Sequence, residues 1–251
     1  MKVYSFGAEN APVILLLPGT CCHWKGNFGR VIQLLSDRYR VLCISYDGFD
    51  ETEHTEFPTM PNETEKIEAY IQEHCGGHIR ASYGCSLGGS FVGLLAARQN
   101  IHMDYGILGS SDLDQASPFV AKLQTDLLLP LIFPLLRDGQ FKSRLLQKCL
   151  VKRKAETSGY VQAFMDMFGG ARPYVTMQSC KNQFYSDLVT PPRCRTRSTF
   201  REQRFIFSMH SKWVRNTANA MNGTLRTRSF TSRTCSTRNC WPVIRSAGHS
   251  W

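Results

Sequence analysis

Hydrophobic positions fall into two alternating rhythms along the first hundred residues. Pro12 to Leu17 is an unbroken apolar run closed by Pro18-Gly19, the pattern of a strand buried on both faces. Phe28, Val31, Ile32 and Leu35 then recur at helical spacing, and Val41 to Tyr46 reads as a second strand. Asn62 with Glu65 three residues on has the form of a capping box, and Ile67, Tyr70 and Ile71 continue an apolar face behind it. Ile79 to Tyr83 predicts a third strand, Ser86 to Arg98 a helix, and Tyr105 to Leu108 a fourth strand. Strand and helix in alternation predict the α/β class, with a mostly parallel sheet covered by helices on both faces.

From about residue 115 only helices are predicted, over Phe119 to Leu129, Lys142 to Val151 and Tyr160 to Phe168. An all-helical insert after a strand is the layout of a cap or lid over an active site. A helical extension packed on the sheet edge fits the same pattern. The expected organisation is an α/β core over 1–114, a helical cap over 115–190, and an irregular basic tail over 191–251.

Candidate chemistry enters at Gly84-Cys85-Ser86-Leu87-Gly88, a G-x-S-x-G motif set between a predicted strand and a predicted helix. A serine in so tight a turn needs very small residues two places before and two after it, and Gly84 and Gly88 meet that need. Its position at a helix N-terminus favours a developing oxyanion, with the backbone N–H of Leu87 as the first donor. A second donor belongs in the loop after the first buried strand. There Gly19 allows a sharp turn and Thr20 is the candidate. A serine that only caps its helix, and a loop that only ends its strand, are the plainer alternatives.

On these motifs, residues 1 to about 190 resemble the α/β-hydrolase superfamily, in the bacterial branch that carries Leu-Leu-Leu-Pro-Gly-Thr where His-Gly is common. The resemblance implies an eight-stranded type of sheet, a cap inserted after the strand ending near Leu108 and a Ser–acid–His triad, with acid and histidine following the nucleophile in that order. It implies hydrolysis of an ester or other acyl bond, with Ser86 as the catalytic nucleophile, a small-molecule substrate and no cofactor or metal. The acyl group does not follow from the fold.

The triad partners are not evident. Asp112 and Asp114 follow the fourth strand, where some relatives carry the acid, but a capping or solvent role fits them as well. His210 and His249 are late enough for the base, yet no strand is predicted before either. His54, His74 and His78 precede the motif and are expected on the surface.

Charge sharpens this. Residues 1–192 hold 18 Lys+Arg against 19 Asp+Glu, whereas residues 193–251 hold 12 basic residues and the single acid Glu202. In that tail Leu, Ile, Val and Phe make up 9 of 59 residues, about 15%, below the roughly 20% under which charged chains stay unfolded. No stretch of it reads as a buried strand. A reading frame shifted from about Pro192 accounts for both features. Asn239-Cys240-Trp241-Pro242 must then encode Leu-Leu-Ala, and permitted codons turn Arg233 to Trp241 into Asp-Met-Gln-His-Glu-Glu-Leu-Leu. Phe207 to Thr217 becomes an apolar strand with an acid in the following turn. The expectation for this copy is a hydrolase with impaired activity.

The remaining features exclude more than they suggest. Arg193, Arg195, Arg197, Arg201 and Arg204 with Phe200, Phe205 and Phe207 interleaved could contact single-stranded nucleic acid, but no nucleic-acid fold or motif surrounds them. The ten cysteines include no C-x-x-C pair, so no metal site is predicted from them, and Cys43 and Cys85 fall where buried reduced thiols belong. No signal peptide is predicted, and the apolar run Leu127 to Leu136 is too short to span a bilayer. A reduced cytoplasmic setting is expected.

Overall fold

The computed structural model describes residues 1–111, 115–138 and 172–190, and the backbone of the strand at 204–208. Its elements are β1 (Lys2–Phe6), β2 (Val13–Leu17), α1 (Trp24–Ser36), β3 (Arg40–Ser45), α2 (Met60–Cys75), β4 (His78–Cys85), α3 (Leu87–Arg98), β5 (His102–Gly109), α4 (Pro118–Asp138), α5 (Met177–Val189) and β6 (Arg204–Ser208). The six strands form one sheet in the order β1-β3-β2-β4-β5-β6. Among the described strands only β1 runs antiparallel, against β3; the other pairings are parallel.

The apolar run of β2 explains the layering. Ile14 and Leu16 face α1, packing with Phe28, Ile32 and Leu35. Leu15 and Leu17 face the other way, into a core with Ile67, Ile71, Phe91 and Leu95 from α2 and α3. With helices on both sides, every position of a central strand is buried, so polar alternation disappears.

Several elements depart from the sequence reading. The edge strand β1 was not predicted, because Lys2-Val3-Tyr4-Ser5-Phe6 mixes polar and apolar positions and is only half-buried. The cap of α2 is Thr59, whose side chain accepts from Asn62 N–H at 3.3 Å, so the cap lies three residues before the expected Asn62. Pro at its second position suits a first turn, where N–H groups lack intrahelical partners.

Helix α4 does not stop at Leu129 but runs through Pro130 and Pro134 to Asp138. Burial of Leu129, Leu135 and Leu136 outweighs the two lost backbone bonds. At 21 residues, with a mean hydropathy of 1.5 over its most apolar window, α4 is long and apolar enough to cross a membrane by length and composition. The run Leu127 to Leu136 is therefore only part of a longer apolar helix. α4 packs on α5, and Lys181 of α5 pairs with its Asp126 at 3.1 Å.

Strand β6 corrects the expectation that no strand follows residue 190: Phe205 to Ser208 pair in parallel with Gly106 to Gly109. The signal is three consecutive β-formers, Phe205-Ile206-Phe207, too short to register in the average of a long polar tail. The expected helices over 142–151 and 160–168, Asp112, Asp114, His210 and His249 lie outside the described residues.

Candidate active site

The elbow begins with a register. Leu17 of β2 pairs with Gly84 of β4, so the loop leaving β2 and the turn leaving β4 emerge side by side at one end of the sheet. In open parallel sheets this carboxyl end is where ligands bind.

Ser86 sits at the top of that turn with φ 52° and ψ −117°, a backbone conformation that costs a residue with a side chain about 1–3 kcal/mol. It is held there by its own N–H, which donates to Gly109 O at 2.8 Å, and by Gly89 N–H, which donates to Ser86 O at 2.8 Å. A Cβ on Gly84 would collide with the Gly88 carbonyl, and one on Gly88 with the Leu17 carbonyl. The two glycines are therefore required by close approach. The Ser86 side chain is exposed and makes no capping bond to its helix, so the reading of Ser86 as a mere helix cap fails.

The facing loop is pinned from several sides. Gly19 N–H donates to Asn27 Oδ1 at 2.8 Å. Cys21 N–H donates to Gln183 Oε1 at 2.6 Å, and Arg172 Nη2 donates to Cys21 O. A Cβ on Gly19 would lie 3.2 Å from Cys85 O, which measures how closely loop and elbow stand. Between these fixed points, Thr20 is half-buried and its N–H has no acceptor among the described residues. Leu87, as the first residue of α3, has no intrahelical acceptor for its N–H either.

Sequence reasoning missed Asn27, Arg172 and Gln183, which reach the loop from elements whose contacts have no signature in sequence. It also missed His23. Its Nδ1 accepts from Lys25 N–H at 3.2 Å, and its Nε2 lies 2.8 Å from Glu51 Oε2, so Nε2 carries the hydrogen. Burial lowers its pKa despite the Glu51 carboxylate, which is itself held at about 2 by Lys25 and His23 against the effect of its own burial. With both ring nitrogens engaged, His23 is a structural pair with Glu51 and not a free base. His54, His74 and His78 are exposed, as expected. Cys21, Cys22, Cys43, Cys85 and Cys180 are free and buried. Burial pushes the Cys85 thiol up to about 11 and Cys22 up to about 12, so neither is a thiolate near neutral pH.

A strained, exposed serine between a parallel strand and a helix, beside an amide-bearing loop, defines the elbow class of α/β folds. The chain belongs to the alpha/beta hydrolase fold family, whose sequence model matches residues 12–162. A search of curated proteins found no matching sequence. Among solved structures, the chain is similar to a hydrolase from Pseudomonas aeruginosa, with 13% identity and a TM-score of 0.61, over 87% of this chain and 91% of that one. An esterase from Thermogutta terrifontis aligns at 16% identity and a TM-score of 0.57, over 88% and 91%. The enol-lactonase from Burkholderia xenovorans aligns at 16% identity and a TM-score of 0.55, over 88% and 96%. At these identities the likeness is one of fold.

Proposed function

We propose that this chain is a serine hydrolase acting on an ester or other acyl bond of a small molecule, with Ser86 as its nucleophile. The observation that carries the reading is the strained, exposed Ser86 backbone at φ 52°. In this mechanism Ser86 Oγ attacks the carbonyl carbon while a base takes the hydroxyl proton. The carbonyl oxygen becomes an oxyanion held by the N–H groups of Thr20 and Leu87, the leaving group departs, and water releases the acyl group from Ser86. Helix α4 leaves Phe119, Leu123, Leu127 and Leu131 exposed, and a hydrophobic acyl chain is the ligand such an apolar surface would match. An esterase and a lactonase among the similar structures support acyl chemistry.

A fluorophosphonate probe tests the reading. Ser86 should carry the label, and Ser86→Ala should remove it. Label that persists in that variant would show another residue to be the reactive one.

The composition of residues 209–251, seven Lys+Arg and no Asp or Glu, favours a second reading, in which this copy keeps the elbow but lacks its base. Because β6 pairs with the sheet in the frame as written, a shift at about Pro192 does not fit, and this reading places it beyond Ser208. Loss of the triad costs on the order of a millionfold in turnover. The encoding DNA decides: a shifted frame closed by a stop codon soon after residue 208 ends this reading.

A further inference from the structure

At the opposite end of the sheet, the same strand pairing assembles a second set of groups. His78 opens β4 and His102 opens β5, and the two are direct partners in the parallel register. Arg80 and Asp104 lie two residues further along each strand. Successive strand residues alternate faces, so all four project to one side while Ile79 and Met103 point into the core. The result is a square of His, His, Arg and Asp on an accessible surface, with His78 and His102 about half exposed.

The groups of the square stand close enough for three of them to reach one ion. Asp104 Oδ1 lies 2.9 Å from His78 Nε2 and 3.3 Å from His102 Nε2. All three ligand atoms fall within 4.8 Å of one another. Two ligand atoms on a tetrahedral ion, each at ~2.05 Å from it, stand ~3.3 Å apart; the His102–Asp104 edge at 3.3 Å already matches, and the His78–Asp104 edge, a hydrogen bond at 2.9 Å, opens slightly to admit the ion. The imidazole–imidazole edge closes by side-chain rotation, since the rings are solvent-facing and their centroids 5.1 Å apart. The other carboxylate oxygen is fixed by Arg80, whose Nη1 donates to Asp104 Oδ2 at 2.8 Å while its guanidinium rests on the Tyr105 ring. A carboxylate oriented through its far oxygen is how metal-binding sites hold their ligands in place.

We propose that His78, His102 and Asp104 form a surface site for a borderline divalent transition-metal ion such as Zn2+, Ni2+ or Cu2+, clipping the first residues of β4 and β5 together. Two imidazoles suit such ions, whereas one carboxylate already neutralised by Arg80 is a poor cage for Ca2+ or Mg2+. The site lies roughly 23 Å along β4 from the elbow, from seven residue steps at about 3.3 Å, and so is independent of the acyl chemistry. Cysteine spacing gave no hint of it, because its ligands are neighbours only through strand pairing.

The full chain, purified without a polyhistidine tag, is titrated with ZnCl2 in competition with a chromophoric zinc indicator. The wild type should bind one Zn2+ that His78→Ala and His102→Ala each lose or weaken by about tenfold or more. His54→Ala, exposed and remote in sequence, should leave that Zn2+ in place. Circular dichroism identifies any variant that fails to fold, in which case the other imidazole variant decides. Equal zinc binding in wild type and the folded imidazole variants, or none in the wild type, overturns the site.

Discussion

Gln183 of α5 accepts a hydrogen bond from the backbone N–H of Cys21 at 2.6 Å, across 162 residues of sequence. That bond ties a late helix to the loop that carries Gly19 and Thr20, where Gly19 stands close to the carbonyl of Cys85 in the elbow. The same helix is stitched to the start of α2 and the segment before it, where Met60 N–H donates to Ser186 Oγ at 2.7 Å and Asn182 Nδ2 donates to Phe57 O at 2.8 Å. The geometry of the elbow end therefore depends on residues far beyond the first hundred.

Gln183→Leu leaves the Cys21 N–H buried and unpaired. It should lower stability by about 1–3 kcal/mol in urea unfolding. If Thr20 holds the oxyanion, turnover should fall on the order of tenfold or more while KM changes little, since only the transition state uses the displaced amide. An unchanged kcat in a folded variant would separate Gln183 from the chemistry.

Ser86→Gly should separate strain from reactivity. Glycine accepts φ 52° without the steric cost a serine bears there, so the variant should gain about 1 kcal/mol in stability, read as a higher Tm. It should also lose all fluorophosphonate labelling. By contrast, Gly88→Ala should fail to fold, because the new methyl group meets the Leu17 backbone and backbone cannot rotate away.

A pH dependence follows from Glu63. Burial, with the nearby Asp47 carboxylate, pushes its carboxyl up to about 7 from an ordinary 4.5, although Lys66 and the N-terminal ammonium oppose the shift. The folded state holds this proton more tightly than the unfolded chain. Its contribution to stability is thus complete below about pH 4.5 and is lost as pH rises through about 7. Asp47 has the opposite sign. Burial alone would raise it, but ion pairs with Lys66 and the N-terminal ammonium hold it below 3.8, so its effect falls in a more acidic window. Glu63→Gln keeps an oxygen for the Asp47 N–H, which now donates to Glu63 Oε1 at 2.8 Å. Urea midpoints at about pH 5 and about pH 7.5 should decline in the wild type and stay level in the variant.

The start of α2 gives a sharper local test. Thr59→Ala removes the side-chain acceptor for Asn62 N–H and should cost about 1 kcal/mol. Asn62→Ala, at an exposed position inside the helix, should change stability by less than about 0.5 kcal/mol. The reverse order would restore Asn62 as the cap.

How far each feature could be read depended on where its cause lay along the chain. The strands β2 and β3 were legible because burial on two faces writes continuous apolar runs, α1 because burial on one face writes a helical stripe, and β4, α3 and β5 because their shorter apolar stretches flank the Gly84–Gly88 motif. The glycine–serine–glycine turn was legible because close approach demands residues without side chains at fixed offsets from Ser86. The edge strand β1 was not, since half-burial leaves no rhythm, and neither was the passage of α4 through two prolines, which packing against α5 makes tolerable.

What local sequence determined, then, was the order of elements and the shape of the turn at Ser86, both set by interactions within a few residues. Only the tertiary structure decided what stands beside that turn and what gathers at the far end of the sheet. The clamp of Asn27, Arg172 and Gln183 on the Thr20 loop, and the meeting of His78, His102 and Asp104, come from strand register and helix docking. Those join residues distant in the chain, and no local pattern of side chains encodes such a meeting.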